Sequence, residues 1–201
     1  MPSPGMGTPM YKIKKGVPAA VVRSYKEPLY DSEDVLAAAP ANELELFQRP
    51  VGQNTTGGTL KTLLQTNMRT AGQLGTPSSF DVWGFNVRYP KAIDINDYTA
   101  LTTNGVFSFL IGTDTNYLTV PIEDVPSGVD TQGVASPTLF AHIGSGDTDN
   151  FYRFDVSGQG IHINSTESFR CRITFPSGNA GIEAVSTLVR VYIRGITYRG
   201  I

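Results

Sequence analysis

Two histidines, His142 and His162, and one cysteine, Cys171, are the only imidazole and thiol groups in the chain. A zinc centre of the Cys/His type gathers several such ligands around one ion, so this composition excludes it, and an enzyme built on a β-sandwich around a metal lacks its histidines. His162 sits in Gly160-Ile161-His162-Ile163-Asn164, alternating with two isoleucines, and is expected to face solvent or a neighbour. Cys171 falls on the apolar side of its own alternating run and is expected to be a buried, inert small hydrophobe. Two acidic loops, Gly112-Thr113-Asp114-Thr115-Asn116 and Gly146-Asp147-Thr148-Asp149-Asn150, set oxygen ligands at alternate positions as a calcium site would. The same residue types also make tight turns, and EF-hand spacing is absent. No nucleophile elbow, phosphate-binding glycine loop, dinucleotide fingerprint or His-Glu-x-x-His helix occurs. The chain is therefore expected to be no enzyme and to use no cofactor.

The remaining chemistry is electrostatic. A basic stretch carrying Tyr11, Lys12, Lys14, Lys15, Arg23 and Lys26 precedes an acidic one with Glu27, Asp31, Glu33 and Asp34. Net charge is −2 and the isoelectric point about 5.7, so nothing global attracts a polyanion, and no specific nucleic acid is expected as partner. An acidic patch on a neighbouring subunit is the better match for the basic residues.

These groups must be positioned by a chain of 201 residues, enough for one domain and an arm. Its charged fraction is 17%, low for a soluble domain, while 21 glycines and 13 prolines favour a turn-rich all-β protein over a helical bundle. Residues 1–42, rich in Pro and Gly, read as an extended N-terminal arm that makes no core of its own and lies on a neighbouring subunit or on its own domain. One short helix is expected within it, capped by Asp31 or Ser32 and running from Val35 to Ala39 until Pro40. Deleting the arm should leave a folded domain. Residues 43–201 read as a single domain: a first strand at 43–48, a helical turn or irregular crossing at 60–68, then strands at 80–89, 106–111, 117–122, 139–143, 151–156, 160–163, 169–175 and 187–197. Trp83, Phe85, Val87 and Tyr89 are expected on one inner face; Phe169, Cys171, Ile173 and Phe175 on another; Val189, Val191 and Ile193 on a third. Such spacing without βαβ alternation implies an antiparallel β-sandwich. No signal peptide or run of apolar residues long enough to span a bilayer is present, so synthesis in the cytoplasm is expected.

The run from Thr62 through Met68, Arg69, Leu74, Pro77 to Phe80 resembles the approach to the first long strand in jelly-roll virion proteins of some bacteriophages. The ending is similar too: Phe169-Arg-Cys-Arg-Ile-Thr-Phe-Pro176, then Leu188-Val-Arg-Val-Tyr-Ile-Arg-Gly195 with Tyr198-Arg199. The resemblance implies a jelly-roll sandwich and a capsid protein, either shell subunit or minor or cement protein. Its partners would be copies of itself, as trimers or larger rings, and other virion proteins, and its location the virion. A carbohydrate- or receptor-binding head of a spike or adhesin is the alternative, with an exposed Trp or Tyr stacking on a glycan.

Overall fold

The computed structural model describes residues 23–37, 42–90, 92–113, 115–127, 134–136, 139–141, 150–153, 160–175 and 186–199. Two antiparallel sheets pack face to face as an all-β sandwich. In the first, β4 (Ser78–Arg88) and β13 (Thr187–Arg199) form the central pair; β1 (Arg23–Tyr25) and β2 (Leu29–Val35) flank β13, while β10 (Tyr152–Arg153) and β11 (Ile161–Ile163) flank β4. The second runs β3 (Glu43–Leu46), β12 (Phe169–Thr174), β6 (Val106–Ile111), β7 (Thr115–Pro121). A small third sheet joins β5 (Ala92–Asp94), β9 (Leu139–Ala141) and β8 (Val134–Ser136). Among the described residues the α-helix α1 (Ile95–Asn104) starts at Asp94, whose carboxylate accepts the Asn96 N–H at 2.8 Å.

The core follows the period-two pattern of the strands. Phe169, Cys171 and Ile173 of β12 and Val189, Val191 and Ile193 of β13 are all buried, as their alternation predicts. Phe85 bridges the two sheets, its ring 5.1 Å from Phe107 and 4.9 Å from Phe109. Each such side chain contributes about 1.5–3 kcal/mol of burial free energy.

One face departs from the expected alternation. Arg194 pairs with Gly84 but Gly195 pairs with Val82, so Trp83 is an extra residue in β4 without a partner on β13. A bulge shifts parity by one. Phe80 and Val82 before it therefore share the inner face with Phe85 and Val87 after it, and Trp83 turns outward, half-buried under the Lys26 ammonium 5.7 Å from its ring centre. Glycine is required at this crossing. A Cβ on Gly195 would lie 1.9 Å from the Asp81 carbonyl oxygen, and one on Gly84 1.9 Å from that of Tyr152.

The N-terminal region also differs from expectation. Residues 31–35 are strand, not the cap and start of a helix, and the rest of that expected helix, 38–39, lies outside the described residues. β2 pairs with β13 from Leu29↔Ile193 to Thr187↔Val35, and β1 pairs with its end from Arg23↔Arg199 to Tyr25↔Thr197. The arm's second half thus belongs to the sandwich, because ladder pairing and the burial of Leu29 and Val35 outweigh the local capping signal.

Candidate functional site

Leu29, Asp31, Glu33 and Val35 share the inner side of β2, opposite Ile193, Val191, Val189 and Thr187. Two carboxylates therefore enter the core. Lys61, itself fully buried, answers both: its Nζ lies 2.8 and 3.0 Å from the Asp31 oxygens and 2.6 Å from Glu33 Oε1. Arg49 adds a second cation 3.1 Å from Glu33 Oε1, the Phe47 N–H donates to Asp31 Oδ2 at 2.6 Å, and the Thr56 N–H donates to Glu33 Oε2 at 2.9 Å. Burial raises the Asp31 carboxyl above its ordinary value, with Lys61 opposing, and burial followed by the nearby Asp31 charge raises the Cys171 thiol, which is inert.

Lys61 belongs to a strap, residues 47–68, that leaves β3 and lies along the free edge of β2. Its first half is a small loop closed by Gly52 N–H to Lys61 O, Lys61 N–H to Gln53 O and Thr55 N–H to Thr59 O, with Gly58 in the left-handed region at φ 86°. Its second half meets the edge itself. The Asn67 side chain accepts from the Tyr30 N–H and donates to Pro28 O, the Asn67 N–H donates to Tyr30 O, and Ser32 Oγ donates to Gln65 O. The edge of β2 is closed by the chain's own loop, which removes one template for indiscriminate pairing.

The strap also carries exposed apolar side chains. Among the described residues the large hydrophobics in the exposed class are Val51, Leu60, Leu63 (64%), Leu64 (75%) and Tyr117, all but the last on the strap. Leu63 and Leu64 are not loosely held. Thr62 and Gln65 lock their turn through Thr62 Oγ1 to Gln65 Oε1 at 2.7 Å, the Tyr30 hydroxyl donates to Leu63 O, and Arg190 Nη2 donates to Leu64 O at 2.6 Å.

Of the expected arm residues, Tyr11, Lys12, Lys14 and Lys15 lie outside the described residues, Arg23 contributes backbone to β1, and Lys26 covers Trp83. The acidic run that follows them is split by the fold: Asp31 and Glu33 are inside and already paired. His162 is solvent-facing as expected. Its Nδ1 lies 2.6 Å from Asp81 Oδ1 and its Nε2 3.2 Å from Asn164 Oδ1. Beside it, burial and then the Asp81 hydrogen bond hold the Tyr198 hydroxyl up at about 12. Asp114, His142 and the second acidic loop from Gly146 to Asp149 lie outside the described residues; among those described, no group of three or more metal-ligating side chains converges, and no helix is long and apolar enough to cross a membrane. Sequence reading missed the Lys61 network because Lys61 lies 28 residues from Glu33 and 30 from Asp31 along the chain, and missed the rigid leucines because only their spacing was considered. Comparison with known proteins finds no matching family model, no matching curated protein and no matching solved structure.

Proposed function

We propose that this chain is a structural virion protein of jelly-roll type, a shell subunit or a minor or cement protein of a bacteriophage particle, that works by packing against copies of itself and other virion proteins. The observation that carries the reading is the strap: leucines displayed on a backbone fixed by hydrogen bonds and a buried ion network. Exposed aliphatic side chains are a solubility cost that an isolated domain has no reason to keep clustered, whereas a subunit buries them at a contact. Holding them rigid lowers the ordering entropy lost on association. The sequence resemblance supplies the virion context and the absence of catalysis.

The test is self-association of the full chain, followed by size-exclusion chromatography and electron microscopy, with the double substitution Leu63→Asp and Leu64→Asp. The wild type should form closed rings or shells, and the variant should remain monomeric while unfolding within about 0.5 kcal/mol of wild type, as exposed substitutions do. A wild-type chain that stays monomeric at high concentration would overturn the proposal.

A second reading has one observation in its favour. Trp83 faces outward, so a glycan-binding head has the aromatic it needs, although Lys26 lies over that ring. Specific signal on a glycan array that is lost in Trp83→Ala would put that reading first.

A further inference from the structure

We infer that Lys61 and Asp31 are the two halves of an intramolecular amide, formed without a cofactor when the Lys61 amine condenses with the Asp31 carboxyl, and that Glu33 carries the proton between them. The bond lies within one chain, so it stands or falls separately from the assembly reading.

Buried ion clusters are ordinarily held by charge alone, and three features of this one suit it to reaction. The first is distance. Nζ lies 2.8 and 3.0 Å from the two oxygens of one carboxyl, which puts Cγ within about 3.3 Å of it, inside the range of about 3–3.5 Å for atoms poised to react. The second is the exclusion of water: Lys61 is 1% exposed, and Asp31 and Glu33, both at 0%, sit opposite Val191 and Val189 of β13. A dry site favours a neutral amine and carboxylic acid over the two ions, and burial raises the Asp31 carboxyl in that direction. The third is a donor for the charge that develops on the carboxyl. The Phe47 N–H donates to Asp31 Oδ2 at 2.6 Å, and Phe47 itself is held at φ 71°, in the left-handed region that a bulky side chain rarely adopts. Backbone strain of this kind gathers where a fold positions groups for function.

The step balances within these residues. A proton passes from the Lys61 ammonium to the Asp31 carboxylate, leaving an amine and a carboxylic acid. The Nζ lone pair then attacks Cγ; the C–N bond forms and the carbonyl electrons move to Oδ2, where the Phe47 N–H receives the charge. Glu33 Oε1, 2.6 Å from Nζ, takes a proton from the nitrogen and passes it to the hydroxyl at Oδ1, which leaves as water when the carbonyl re-forms. One ammonium and one carboxylate become one amide and one water, with nothing oxidised or reduced. Arg49, 3.1 Å from Glu33, still neutralises the acid that remains. Folding assembles the ions and closure follows it, so the freshly folded chain carries the free Asp31 carboxyl. The product ties the strap to β2 through side chains 30 residues apart, a cross-link that also restricts the unfolded chain.

Intact-mass spectrometry of the full chain, denatured at once after purification and again after standing folded at neutral pH, tests this. The wild type should reach a mass one water below that of its sequence. Trypsin should then fail to cut after Lys61, leaving residues 27–69 as one piece because Pro50 already protects Arg49, and cuts after Glu43 or Glu45 should leave its two parts joined. Lys61→Arg keeps the charge without a condensing amine and should stay at its sequence mass. Glu33→Gln should slow closure by about 100-fold or more while near-ultraviolet circular dichroism shows it folded. A folded wild type that stays at its sequence mass, or that loses water elsewhere while trypsin cuts after Lys61, overturns the inference. A Glu33→Gln chain that closes as fast as wild type overturns the part given to Glu33. The wild-type readings need no variant, so they decide the bond even where Lys61→Arg or Glu33→Gln fails to fold.

Discussion

Lys61 is the residue on which the strap depends. Its ammonium compensates two carboxylates that β2 places among the valines of β13, where both are fully buried. Replacing it with Met keeps the apolar stem but takes the cation from buried Asp31 and leaves Glu33 with Arg49 alone, a change that costs about 3–5 kcal/mol. Urea denaturation of Lys61→Met should register that loss. In the freshly folded chain, with its carboxyl free, Asp31 makes a separate prediction. A carboxyl raised on folding holds its proton more tightly in the folded chain, so its contribution to stability is greatest in acid and is lost as pH rises through the folded value. Asp31→Asn abolishes that titration. The stability of wild type relative to the variant should therefore grow as pH is lowered from neutrality toward the ordinary carboxylate value of about 4. A gap that shrinks on acidification would contradict the burial of this group.

At the level of elements, β13 and the strap are tied by a single side chain. Arg190 reaches from the outer face of β13 to Ser32 Oγ at 2.8 Å and to Leu64 O at 2.6 Å, spanning the sheet, its edge strand and the strap. Arg190→Ala should cost about 1.5–3 kcal/mol, the range for hydrogen bonds to charged groups, and should speed hydrogen exchange selectively in residues 62–67. Uniform acceleration across the sandwich would mean the strap is not a separate unit. The bulge in β4 gives a second element-scale expectation. Gly195→Ala drives a methyl into the Asp81 carbonyl and the Phe80 ring, so it should destabilise by about 1–3 kcal/mol or more although the change is a single carbon. The helix α1 has no counterpart among the sequence expectations, which place no element between residues 89 and 106. In place, the hydroxyls of Thr102 and Thr103 donate back to the carbonyls of Tyr98 and Thr99, which keeps them satisfied within the helix.

For the whole molecule, the useful division of the chain falls within the expected arm instead of at its end. Removing residues 2–22 leaves every described strand in place, so that truncation should fold with a cooperative transition close to wild type. Extending the deletion to residue 36 removes β1 and β2, exposes one side of β13 and leaves Lys61 buried without its acids; that chain should fail to fold. Circular dichroism and thermal melts of the two truncations check this directly. Among the described residues the two flanks are unlike, one closed by the strap and leucine-bearing, the other ending in β7, which pairs there with β6. Unlike flanks suit head-to-tail contacts between copies.

The sequence by itself determined the all-β class and much of the core. Period-two runs such as Phe169–Ile173 and Val189–Ile193 bury alternate residues in any half-buried antiparallel strand, whatever the topology. Local pattern also sufficed for the burial of Cys171 and the outward position of His162. Three things were decided only in three dimensions. Trp83 moved outward because a bulge, invisible in composition, inverted the parity of β4. Asp31 and Glu33, which look like a solvated acidic run, became core residues because Lys61 and Arg49 arrive from a loop far along the chain. Residues 23–35 became sheet because β13 offered them a ladder. In each case the deciding contact is between residues distant in sequence, and its free energy exceeds the local preference by which the segment was first read.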